Sequence, residues 1–487
     1  MPSQLTTRQQ VNGYRFLIRR LEHALIRRDI RMLHDPMRAH TRALMVGLAM
    51  AVLITAGSAV FGLFKPVGSL GNASIVVGKE SGALYVVLGD TVHPVLNLAS
   101  ARLITGSAEK PTSVKESKLA NHDRGPMIGI PGAPQSLPVA GDSSYWTVCD
   151  TLVVPTGQGM PSGGTSTAVI VGPPNIGPST VVALPANSAI LASVDDTDYL
   201  IYDGKRAAIE SDDAPMLRAL GLDQVTPRPI SAGLLSAIPE VPALVSPDID
   251  RKRTGALGLP VGSVVEVDGL SGDPTTLYAV LPDGLQKISP LVADVLRFGD
   301  ADDTTQVKTI SGGEAAKQKL VTTLPVGDFP QVAPKVESTE SNPVTCFAWH
   351  RGSPDSGAEV EILTGAALPV PEGRRPTSLV SADGSGTNLD EAYVPPSNGY
   401  FVRMTGSDAE SRRAESLVYV NDGGVRFGVP DTETGKVLGL GDSPGLAPWP
   451  IVSLLVPGMT LSQSNALVIR DTVTPEGGGR AVSPPSE

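Results

Sequence analysis

Residues 43–64, from Ala43 to Phe64, read ALMVGLAMAVLITAGSAVFGLF. The run holds 22 residues without a charge and is closed by Arg42 on one side and Lys65-Pro66 on the other. As a helix it is about 33 Å long, enough to cross a hydrocarbon core of about 30 Å. Lipid offers the backbone no hydrogen-bond partners, so a lone crossing must be helical. Few buried core helices are apolar over so long a run. A cleaved signal peptide has a shorter apolar core behind a shorter leader than the 42 residues found here. The stretch therefore reads as an uncleaved transmembrane helix. It divides the chain into residues 1–42, the span 43–64, an outer region 65–471 and a tail 472–487.

Charge sets the orientation. Residues 1–42 hold nine arginines, no lysine and three acids (Glu22, Asp29, Asp35), a net of +6, whereas the whole chain is −11. Basic flanks stay inside. The N-terminus is expected in the cytoplasm, and the large acidic remainder on the far side of the inner membrane. An acidic exterior argues against nucleic acid, which needs a basic face. The basic N-terminus can meet anionic lipid.

Within residues 1–42, Thr7 and Gln10 have capping-box spacing. Tyr14, Leu17, Ile18, Leu21 and Leu25 then recur on one helical face, with Arg15, Arg19, Arg20, Arg27 and Arg31 mostly on the other. Pro36 is expected to end the pattern, because the residue before proline resists the α conformation. The expectation is a cytosolic amphipathic helix whose apolar stripe lies on the membrane or on a partner protein. In the span, Gly47, Ala51, Thr55 and Ala59 recur every fourth residue and form a small-residue ridge where another helix can approach.

Glycine and proline make up about a fifth of the chain and aromatics only 4%. The outer region should therefore be built of short strands and many turns. Four segments share a tyrosine, a central turn and a β-branched residue ten places on: Tyr85 to Val95, Tyr199 to Ile209, Tyr278 to Ile288, and Tyr419 to Val429. Gly89-Asp90, Asp203-Gly204, Asp283-Gly284 and Asp422-Gly423-Gly424 supply the turns; glycine accepts the positive φ that a tight hairpin needs. Helix-like runs follow the first three. The spacing between tyrosines is 114, 79 and 141 residues, which excludes a regular solenoid. The fold class expected is α+β: four hairpin–helix repeats, near 75–106, 199–223, 277–300 and 417–441, around a central core. The tail from Thr472 has little to bury and reads as disordered.

Cys149 and Cys346 both lie outside, where disulfides are permitted. Each sits in an apolar strand-like run with a tryptophan three residues away, Trp146 and Trp349. Two buried free thiols would fit the same settings. Paired, the cysteines would make residues 150–345 an excursion from one central fold.

No Walker order, GxSxG, HExxH or nucleophile–His–acid set stands out. Asp383 to Asp390 (DGSGTNLD) lacks the spacing and closing glutamate of a calcium loop. His350 reads as structural, and Asp195-Asp196, Asp212-Asp213 and Asp302-Asp303 as solvated turns. The expectation is no catalytic residue, no cofactor and no metal.

The N-terminal PSQLTTRQQVNGYRFLIRRLEHALIRRD (Pro2–Asp29), the single span, the repeats and the cysteine pair together resemble the EccB family of mycobacterial type VII (ESX) secretion systems. The resemblance covers essentially the whole chain. It implies a β-rich core flanked by four repeat domains and a disulfide that maps onto Cys149 and Cys346. It also implies docking against EccC, EccD and EccE and pairing with a second copy through the periplasmic region. ATP hydrolysis has been suggested for the family; without a Walker motif, the expectation here is a scaffold. The alternatives are a membrane-tethered nucleotide hydrolase or a cell-wall-binding anchor.

Overall fold

A computed structural model describes residues 7–28, 30, 36–64, 73–140, 144–152, 164–268, 275–299, 307–352, 356–384, 388–413 and 416–473. The chain divides into two compact units, one of residues 1–72 and 113–121 and the other of residues 73–112 and 122–487.

In the first unit, a helix runs from Arg8 to Arg27 and opens on the expected capping box, with Thr7 N–H donating to Gln10 Oε1 at 3.0 Å. It stops well before Pro36. Arg28 turns left-handed (φ 57°) and its N–H donates to Ala24 O at 2.8 Å. Pro36 instead opens the second helix, Pro36–Phe64. At a first helical position its missing N–H costs nothing, because that N–H would have no partner in the helix. Within this helix, His40–Ser58 is long and apolar enough to cross a membrane.

The centre of the second unit is a seven-stranded sheet. Its order is Thr377–Ser378, Glu391–Tyr393, Thr165–Val171, Ser144–Leu152, Val344–Arg351, Glu359–Gly365, Val181–Ala183. The two cysteine strands are antiparallel neighbours, with Cys346 directly opposite Cys149, Phe347 opposite Val148 and Trp349 opposite Trp146. Period-two alternation then sorts the faces. Trp146, Val148, Phe347 and Trp349 enter the largest apolar core, and Cys149, Cys346, Ile170 and Leu363 a smaller one.

Around this sheet stand four antiparallel meanders of three strands. They begin at Ile75, Ser188, Val264 and Tyr400. A short helix follows each one: Leu98–Thr105, Ala214–Leu220, Pro290–Phe298 and Thr432–Leu438. The caps explain why helices form there. Asn97, Asp213, Ser289 and Asp431 each accept the N–H three residues on, at 2.7–3.3 Å. Glycine stands at each C-cap, left-handed at Gly106, Gly221 and Gly439. The fourth meander also carries a helix, which its weak apolar pattern, TETGKVL, conceals.

More follows each helix. Arg228–Pro229, Lys308–Ile310 and Gly445–Pro448 run parallel to the first strands of the second, third and fourth meanders. Each leads into a one-turn or two-turn helix: Ala232–Ala237, Gly312–Ala315 and Trp449–Val452. The chain then runs parallel to the third strand of the same meander, at Arg206–Glu240, Leu285–Leu320 and Val425–Val456. The expected hairpin and helix are thus about half of each unit.

One turn is shifted. In the third meander Leu281 pairs with Gly284, so Pro282-Asp283 form the bend and Gly284 is a strand residue. A Cβ there would collide with the Lys319 carbonyl. Close approach, rather than the bend, requires this glycine.

The four meanders pack as two pairs. Ile75, Val86 and Leu103 of the first share one core with Phe401, Tyr419 and Leu438 of the fourth. Leu200, Ile209 and Leu220 of the second share another with Ala279, Ile288 and Leu296 of the third.

Candidate functional site

Three features of the described residues bear on function. The first is the uncovered stripe. Tyr14, Leu17, Ile18, Leu21 and Leu25 form one face of the Arg8–Arg27 helix, and all five are 41–74% exposed. Gly47, Ala51 and Thr55 are exposed along the second helix, and Thr55 Oγ1 donates back to Ala51 O at 2.8 Å. The side chain of Ala59 lies outside the described residues.

The second is the joint between the central sheet and the second meander. Cys149 and Cys346 are disulfide-bonded, with Cα atoms 4.0 Å apart and no exposure. Beside them on the strands, Asp150 and Thr345 are buried polar residues facing the opposite side. Asp150 Oδ1 accepts from Thr167 Oγ1 and Ser231 Oγ, both at 2.9 Å, and Oδ2 accepts from Ser231 N–H at 2.6 Å. Ser231 is in turn the N-cap of the Ala232–Ala237 helix. Arg228 donates to Asn342 O at 3.0 Å and to Thr345 Oγ1. Asp390 Oδ2 accepts from Thr167 N–H at 2.9 Å. Burial raises the Asp150 carboxyl to about 6, and Asp390 adds to the rise, while the bonds from Ser231 and Thr167 oppose it. Burial also lowers Arg228 to about 10, partly offset by Glu337. These residues staple the segment 228–231 to the sheet. Sequence reading missed them, because buried and solvated polar residues look alike in a sequence; the one signal was an aspartate directly after a buried cysteine.

The third is a cleft of about 500 Å³ on the disulfide-bearing face. Its floor is Thr147 and Ala348, and Pro173, Pro174 and Ile176 form one wall. Tyr145 and His350 stack with centroids 3.7 Å apart and planes 7° apart. Glu359 Oε2 lies 3.6 Å from His350 Nδ1. His350, expected to be structural, is thus a ring on a cleft wall.

The remaining polar candidates are turns and caps. Asp383 and Gly384 N–H both donate to Asp390 Oδ1 at 2.8 Å, so this carboxylate serves its own loop; residues 385–387 lie outside the described residues. Asp195 and Asp196 form a left-handed bend between Val194 and Thr197. Asp213 is more than a solvated turn: besides capping its helix, it accepts from Ser246 N–H and Oγ, both at 2.6 Å. Asp302-Asp303 lie outside the described residues, as does the tail from residue 474.

A helix of membrane-spanning length, an uncovered amphipathic helix and a stapled β-rich body are the parts of a membrane-associated assembly subunit. Comparison with known proteins gives the family. The family described as "Type VII secretion system ESX-1, transport TM domain B" matches residues 3–475. The "ESX-3 secretion system ATPase EccB3" of Mycolicibacterium smegmatis is 38% identical over 483 residues, covering 96% of this chain and 91% of that protein. The "ESX-1 secretion system ATPase EccB1" of Mycobacterium tuberculosis is 36% identical over 493 residues, covering 99% and 98%. Among solved structures, a chain of an intact ESX-5 inner membrane complex superposes with a TM-score of 0.74 at 35% identity, covering 99% of each chain. A chain of an EccB3 dimer from the ESX-3 core complex gives 0.69 at 34% identity, covering 81% of this chain and all of that one. The protein belongs to the EccB family.

Proposed function

We propose that this protein is a structural subunit of a type VII secretion complex in the inner membrane. The observation that carries the proposal is full-length similarity, in sequence and fold, to a chain of an intact ESX-5 inner membrane complex. In this reading residues 1–42 are cytosolic, 43–64 cross the membrane, 65–471 are periplasmic and 472–487 are a free tail. The charge of +6 before the span and −17 after it supports that orientation. The stripe of Tyr14, Leu17, Ile18, Leu21 and Leu25 docks on the cytosolic and membrane components EccC, EccD and EccE. The ridge of Gly47, Ala51, Thr55 and Ala59 packs in a helix bundle. The outer region pairs with a second copy, as a solved relative does.

The four meander–helix units are repeats of one design, and the repeat is longer than a hairpin. The residue after each marker tyrosine is buried with no exposure: Val86, Leu200, Ala279 and Val420. The β-branched residue at the tenth place, Val95, Ile209, Ile288 or Val429, is at most 7% exposed. Shared core positions and shared caps support the repeat reading.

Relatives carry "ATPase" in their names, and hydrolysis is the competing function. The test is full-length protein in detergent with Mg-ATP. A scaffold gives turnover no greater than a heat-denatured control. Turnover that a single folded point variant abolishes would establish the enzyme instead.

A further inference from the structure

The cleft on the central sheet belongs to none of the assembly surfaces above. Across the sheet, Glu359 stands opposite His350, His350 opposite Tyr145, and Glu361 opposite Ala348, all on the face that carries Cys149 and Cys346. The disulfide half of that face is closed by Val344, Leu363 and Tyr393. The other half carries the cleft. Glu359 and Glu361 are both exposed there, and two positions along one strand puts them about 7 Å apart. His350 Nδ1 lies 3.6 Å from Glu359 Oε2. Thr147, in the floor, is 1% exposed, and its hydroxyl has no hydrogen-bond partner among the described residues.

Each element of the cleft fits one chemical group. A planar guanidinium stacks on aromatic rings and is forked by carboxylates, and it sheds water more readily than an ammonium. The Tyr145–His350 pair supplies the ring surface, Glu359 and Glu361 the carboxylates, and Pro173, Pro174 and Ile176 an apolar wall for an aliphatic stem. Ile176 is 49% exposed, so its side chain is accessible along that wall. We propose that this cleft receives an arginine side chain presented by an extended segment of a partner protein.

The test uses the full-length protein in detergent and a fluorescein-labelled Ala-Pro-Arg-Pro-Ala peptide, followed by anisotropy. The control peptide replaces arginine with citrulline, which keeps the shape and removes the charge. We expect the arginine peptide to bind at least tenfold tighter than the citrulline peptide. E359Q/E361Q should abolish that preference without changing the melting temperature, and Tyr145→Ala should weaken it severalfold. D195N/D196N removes the same charge from an exposed turn elsewhere and should leave binding intact. Equal binding of the two peptides overturns the proposal. So does equal loss in both double variants, which would mark diffuse attraction to an acidic surface. Absence of saturable binding at millimolar peptide overturns it as well.

Discussion

The N-terminal helix and the β-rich body treat apolar side chains in opposite ways. In the body, Trp146, Trp349, Phe347 and Phe427 are each at most 1% exposed, and paired meanders close one another's cores. On the Arg8–Arg27 helix, five apolar residues of one face stay open. Fully covering one leucine-sized side chain is worth roughly 1.5–3 kcal/mol. Five of them are worth at most about 7–15 kcal/mol, the same order as the roughly 4–15 kcal/mol that association costs. The body thus holds its own core, whereas one apolar face of the helix is exposed among the described residues. Stability and assembly should respond to different residues.

The strongest way to break this comparison is to cut the body's core. Trp349→Ala should destabilise the β-rich body by about 3–5 kcal/mol, read as a large fall in melting temperature. Leu21→Ser on the helix should leave that melting unchanged. If the helix substitution also melts the body, the two regions are not separate in energy.

Cys149→Ser should cost about 2–5 kcal/mol under oxidising conditions, because the bond closes a loop between residues 197 apart. Reductant should reproduce the loss in the native chain and have no further effect on the variant.

The Asp150 staple sharpens the comparison through pH. Its carboxyl is raised in the folded chain from 3.8 to about 6, so ionisation opposes folding. The sign follows by linkage. Stability from this group is greatest below pH 4, falls as pH rises from about 4 to 6, and is level above. The fall is on the order of 3 kcal/mol. Thermal melts across that range should show the slope, and Asp150→Asn should flatten it. The N-terminal helix has no part in this slope.

The smallest effect is local. Gly221→Ala forces an L-residue to φ 68° with open space around it, so the cost is conformational alone, about 1 kcal/mol. The same change at Gly439 should cost more, because a Cβ there meets the Arg102 guanidinium, which donates to Leu438 O at 2.6 Å.

Much of this was legible from residue order. The apolar run, the capping box at Thr7 and Gln10 and the strands around the cysteines each rest on local chemistry. The tyrosines marked the meanders because each lies one place before a fully buried residue. What lay hidden depends on distant contacts. The parallel edge strands Arg228–Pro229 and Lys308–Ile310 are too short to leave a pattern. Pro36 carries the same chemistry whether it ends one helix or opens the next. The glycine at 284 answers to a carbonyl 35 residues away. Beyond the position of Asp150 directly after a cysteine, Asp150 and Arg228 gave no sign of burial, because the hydroxyls and carbonyls that satisfy them come from other segments.

The division between a self-sufficient body and an uncovered helix is tested most directly by L17D/L21D in the full-length chain. The variant should remain in the membrane fraction with its body melting normally, yet be lost from the secretion complex on co-purification after mild detergent extraction. A variant that stays in the complex at native stoichiometry would contradict the account.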